Sequence, residues 1–99
     1  MNKFSFSDRL TSFFTRYLPG QRGLSVNTIK AYRDTFILVF RFLAQHDRLK
    51  PEKLSFDQFD RKMVERFLTW LEEEKNCAAS TRNQRLAAIH AFIRYILME

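Results

Sequence analysis

Two stretches of this chain concentrate groups that bind phosphate. One is Ser25-Val26-Asn27-Thr28-Ile29-Lys30-Ala31-Tyr32-Arg33, and the other is Ser80-Thr81-Arg82-Asn83-Gln84-Arg85. Each reads as the opening of a long amphipathic helix with a serine in the cap position. A helix N-terminus presents free backbone N–H groups and the positive end of the helix dipole, so it suits an anion. Hydroxyl, amide and guanidinium groups in the first two turns extend that site toward a nucleic-acid backbone and base edges.

The caps alone prove nothing, because an N-cap stabilises a helix by ~0.5–2 kcal/mol without any ligand. The cations that follow are the stronger signal. A first turn favours acids, yet Lys30 and Arg33, and above all Arg82 and Arg85, lie in early turns. No acid occurs in residues 80–85, so Arg82 and Arg85 read as unneutralised charge that an anionic partner would offset. Thr28 and Tyr32 share a face at i, i+4. Thr28 is placed to bond phosphate, whereas the Tyr32 ring is expected at the core edge with its hydroxyl outward. Asn83 suits adenine or phosphate. The ordinary alternative for all of these is a solvated helix surface.

The positioning elements follow from hydrophobic period. Phe6, Leu10, Phe13, Phe14, Tyr17 and Leu18 predict a first helix, capped by Ser7 or Ser5 and ended at Pro19-Gly20. Gln21-Arg22-Gly23 forms the connection. The second helix runs from the Ser25 cap to about His46, with Ile29, Tyr32, Phe36, Val39, Phe40 and Leu43 on one face and Ile37, Leu38 and Phe42 beside or behind it. Residues 47–59 read as a connector with room for a short helical turn, anchored by Leu54, Phe56 and Phe59. Asp60 caps a third helix bearing Met63, Val64, Phe67, Leu68 and Leu71, with Trp70 at the edge. Glu72-Glu73-Glu74 at its end reads as a solvated face, unsuited to touching DNA. Asn76-Cys77-Ala78-Ala79 is a tight turn. The fourth helix runs from the Ser80 cap to about Met98, its core stripe Leu86, Ile89, Phe92, Ile93, Ile96 and Leu97. Arg82, Arg85, His90 and Arg94 are expected on its outer side.

The bulk numbers agree with an all-α domain. The chain has 99 residues, 2 Gly and 2 Pro, little turn chemistry for a many-stranded sheet. Hydrophobic residues make up 45%, and 11 are Phe, enough for one core without staples. The net charge of +6 points to an anionic partner, nucleic acid before an acidic membrane. A lone cysteine, Cys77, forms no internal disulfide and leaves no second thiolate for zinc. His46 and His90 lack partners at metal spacing, so no metal or cofactor is expected. No apolar run reaches the ~18–20 residues of a spanning helix, and the start has no signal-peptide core, so the expected location is the cytoplasm. There is no glycine-rich phosphate loop, nucleophile elbow or His-Glu-x-x-His pair, so neither catalysis nor a small-molecule substrate is expected of these residues.

The spacing Ser25-x-x-Thr28-x-x-x-Tyr32, followed by Phe36, Phe40 and Leu43, resembles the opening signature of the core-binding domain of tyrosine recombinases (phage integrases). Ser80-Thr81-Arg82-Asn83-Gln84-Arg85-Leu86, then Ile89 and Phe92-Ile93-Arg94-Tyr95-Ile96, resembles that domain's last helix. The resemblance covers roughly residues 5 to 98. It implies a four-helix SAM-like bundle over residues 1–99, forming half of a clamp on double-stranded DNA at a recombination core site. By position it implies contacts from Ser25, Asn27, Thr28, Tyr32 and Arg33 on one helix and Ser80, Thr81, Arg82, Asn83 and Arg85 on the other; Lys30 is added from its charge. The family's catalytic residues belong to a separate C-terminal domain absent from this chain, which therefore reads as a fragment. Tyr95 is expected in the core of the fourth helix and is not the nucleophile. Other recombinase protomers would be partners of the full-length protein, with Phe13 and Phe14 expected in the core rather than at a protomer contact. The competing reading is a helical protein-interaction domain whose basic charge is incidental.

Overall fold

Capping and period set the helix boundaries in the computed structural model, which describes residues 5–21 and 23–98. Residues 1–4, Arg22 of the expected connection and Glu99 lie outside the described residues. Helix α1 spans Phe6–Ser12 and starts at a capping box, in which Ser5 Oγ accepts from the Asp8 N–H and the Asp8 carboxylate accepts from the Ser5 N–H. It runs on through a π turn, Phe13–Tyr17, closed by the Leu18 N–H on the Phe13 carbonyl, and a 3₁₀ turn, Leu18–Gly20. Gly23 then takes φ +80°, a left-handed conformation that favours glycine.

Helix α2 spans Val26–Asp47 and stops where Arg48 enters the left-handed region at φ 51°. The connector holds the expected short turn as a 3₁₀ segment, Pro51–Lys53. Helix α3 spans Arg61–Glu74, its N-cap Asp60 accepting from the Met63 N–H at 2.9 Å. Asn76, at φ 50°, turns the chain into α4, Ala79–Met98. Among the described residues there is no strand, and the bundle is all-α.

The core is aromatic and centres on Phe92 of α4, which has no solvent exposure. Its ring lies 5.3 Å from Phe6, 5.2 Å from Phe13, 5.3 Å from Phe36 and 6.1 Å from Phe59. One side chain therefore joins α1, the π turn, α2 and the connector to α4. Burying a ring of this kind stabilises by roughly 1.5–3 kcal/mol, with edge-to-face geometry adding to it. Phe13 is fully buried, as expected of a core residue, and Tyr95 is buried too. The principal extents are 35 × 34 × 18 Å.

Several side chains depart from the expected pattern. Phe42, expected beside or behind the main face of α2, is buried 5.9 Å from Phe67 and 5.5 Å from Trp70, because α3 covers that side. Leu97 does not continue the core stripe of α4. It is 79% exposed, since its helical position falls in the outward row of Asn83, His90 and Arg94. Thr35, which periodicity did not single out, is the one buried polar residue among the described residues.

Candidate nucleic-acid interface

The start of α2 is built as expected. Ser25 caps it, its Oγ accepting from the Thr28 N–H at 3.1 Å and lying 2.9 Å from Thr28 Oγ1. Ser25, Asn27, Lys30 and Arg33 are exposed, Thr28 and Tyr32 half-buried. Tyr32 packs its ring against the core, where it lines a cavity of about 240 Å³ with Tyr17, Leu24, Ala91 and Arg94. Arg33, Ile37 and Arg41 follow at four-residue spacing, all exposed, so the basic surface runs past the first two turns.

The start of α4 differs in two ways from the expectation. The helix begins at Ala79, with the Arg82 N–H bonded to the Ala78 carbonyl at 2.9 Å. Ser80 therefore stands inside the first turn rather than at the cap, because the two alanines before it extend the helix readily. Arg82 is also not an unneutralised charge, and Arg85 does not point outward. Arg82 Nε forms an ion pair with Glu72 on α3, so the acid that offsets it comes from a neighbouring helix, and the acidic run is not purely a solvated face. Arg85 Nη1 donates to the Ala31 carbonyl and to Thr35 Oγ1, both at 3.2 Å. The outward row of α4 is instead Asn83, Ala87, His90 and Arg94, all exposed.

The reason lies in the helical wheel. Arg85 shares its face with Ala88, Phe92 and Tyr95 at i+3, i+7 and i+10, and all three are buried. Its aliphatic stem follows that face and its fork ends on α2. Ser80 and Asn83 are exposed, while Thr81 and Arg82 are half-buried; Arg82 Nη1 also donates to Asn83 Oδ1 at 3.3 Å.

The Arg85–Ala31 contact ties α4 to α2 within the early turns of each helix. Ala31 lies five residues after Val26, and Arg85 lies six after Ala79. At ~1.5 Å per residue, each helix start sits within roughly 8–9 Å, along its own axis, of the Arg85–Ala31 contact. A further cavity, of about 510 Å³, lies between α2 and α3, lined by Phe42, His46, Arg66 and Trp70 among others. Among the described residues no three His, Cys, Asp or Glu are grouped to hold a metal ion, and no helix is long and apolar enough to cross a membrane.

Residues 12–99 match the family described as phage integrase, N-terminal SAM-like domain. The chain belongs to that family. It is 39% identical over 95 residues to a Sinorhizobium fredii protein named "Putative integrase/recombinase y4rC", covering 96% of this chain and 29% of that protein. It is likewise 39% identical over 87 residues to "Putative integrase/recombinase y4rD" of the same organism, covering 88% of this chain and 31% of that protein. The chain thus spans under a third of the length of these integrase relatives. No solved structure gives a significant match. The integrase SAM-like domain is the all-α bundle described above, and its match takes in the starts of both α2 and α4.

Proposed function

We propose that this chain is the DNA-gripping module of a site-specific tyrosine recombinase. It binds the duplex at a recombination core site through the starts of α2 and α4, while strand cleavage belongs to a catalytic domain outside these residues. The observation that carries this reading is the exposed polar and cationic surface at the start of α2, tied through Ala31 and Arg85 to the early turns of α4, in a member of the integrase family. Ser25, Asn27, Thr28, Lys30 and Arg33 supply backbone and base-edge contacts from α2, with the Tyr32 hydroxyl at their margin. Ser80, Thr81 and Asn83 supply them from α4, with the half-buried Arg82 beside them. The net charge of +6 makes the grip largely phosphate-driven. The same reading places the protein in the cytoplasm with its DNA and makes other recombinase protomers its partners in the assembled complex.

A titration of duplex DNA at several salt concentrations tests it. The wild type should bind with affinity that falls steeply with salt. Lys30→Ala and Arg33→Ala should each weaken binding and lower the salt slope by about one unit. Wild-type protein that ignores DNA even at low salt would overturn the reading in favour of a protein-interaction domain.

A further inference from the structure

We propose that Arg85 is a positioning residue, whose contact with Thr35 and the Ala31 carbonyl sets the spacing of the α2 and α4 starts and thereby their fit to duplex DNA. This rests on the DNA-binding reading and deepens it, because it takes the most prominent cation of the α4 motif out of direct contact with phosphate.

Thr35 carries the inference. It is 1% exposed, so its hydroxyl cannot touch a nucleic acid. A buried hydroxyl needs partners on both its donor and acceptor sides. Thr35 Oγ1 donates back to the Ala31 carbonyl at 3.0 Å and accepts from Arg85 Nη1 at 3.2 Å. Arg85 Nη1 also reaches the Ala31 carbonyl. The three groups close a polar triangle in an otherwise apolar seam, where Phe36 and Phe92 pack 5.3 Å apart.

The triangle acts at a point of leverage. Each helix start projects roughly 8–9 Å beyond it, so a small rotation about the seam displaces both sets of outward groups. The Arg82–Glu72 pair holds the other side of α4 to α3. A guanidinium suits the role, because its rigid planar fork presents donors in fixed directions. A lysine ammonium would keep the charge and lose that geometry.

The test is the same salt-dependent titration of the 99-residue chain, run on Arg85→Ala, Arg85→Lys, Thr35→Val, Thr35→Ser and the Arg85→Ala/Thr35→Val double variant, with circular dichroism establishing that each is folded at the assay temperature. Positioning predicts that Arg85→Ala, Arg85→Lys and Thr35→Val each weaken binding about tenfold with the salt slope unchanged. The double variant should be no more than about twofold weaker than the worse single one, and Thr35→Ser should bind like wild type. A direct phosphate contact predicts the reverse: Arg85→Ala lowers the slope by about one unit, Arg85→Lys retains affinity, and Thr35→Val binds normally. That pattern, or losses that multiply in the double variant, would overturn the proposal and leave the DNA-binding reading standing. If the alanine variant does not fold, Arg85→Lys and Thr35→Val still separate the two outcomes, each weakened under positioning and each near wild type under direct contact. Absence of wild-type binding would overturn the DNA-binding reading itself, and this proposal with it.

Discussion

Arg66, Arg82 and Arg85 take partners from other helices, and the consequences can be read one residue at a time. Arg66 on α3 meets Asp47, the last residue of α2, with two bonds of 2.8 and 3.3 Å, and lies 5.2 Å from the Phe42 ring centre. The Arg66 hydrogen bond, reinforced by its charge, holds the Asp47 carboxyl below its ordinary range. A carboxyl depressed in the folded state adds stability above its unfolded value, about 3.9, and loses that stability as pH falls through the lower folded value. The pair is partly exposed, so its worth is at most about 1 kcal/mol. Asp47→Asn should therefore lower the urea midpoint slightly at pH 6 and match wild type near pH 2; an equal gap at both pH values would reject the linkage. Reading charge along the sequence alone missed the Arg82–Glu72 and Arg85–Thr35 contacts for the same reason. The nearest sequence neighbours of residues 80–85 carry no acid, and the partners arrive only when α3 and α2 pack against α4.

At the level of the helix, start signals were legible where a side chain supplies the missing acceptor. Ser25 and Asp60 both cap as their sequence positions imply, and Ser5 rather than Ser7 takes the role at α1 because Asp8 completes a reciprocal box. Ser80 was not legible in the same way, since the alanines before it carry no stop and let the helix begin earlier. Ser25→Ala should cost about 0.5–2 kcal/mol in thermal or urea unfolding. Ser80→Ala should be close to neutral for stability, because no cap is lost. Equal losses from the two would show that Ser80 caps after all. The core stripes of α2 and α3 follow the 3.6 period closely, yet period cannot say which neighbour covers a second face, so the burial of Phe42 and Trp70 against each other emerged only from packing.

For the molecule as a whole, Phe92 links elements distant in sequence, and this makes the bundle cooperative. Phe92→Ala should destabilise by about 3–5 kcal/mol, a large share of the roughly 5–15 kcal/mol typical of a domain. Loss of helicity and of near-ultraviolet aromatic ellipticity should occur at one shared, lowered midpoint. A variant that lost only the aromatic signal would mean the helices persist without the ring cluster. Since Phe92 and Arg85 lie on one face of α4, the same docking event that buries the ring also joins the early turns of α4 to α2.

The slab-like outline of 35 × 34 × 18 Å has a further consequence. One turn of B-form duplex measures about 34–36 Å, or 10–10.5 base pairs. Under the proposed DNA-binding reading, a body of this size laid broad side on the duplex covers close to a single turn without encircling it, and a longer recognition sequence would be spelled out by additional bodies arrayed along the axis.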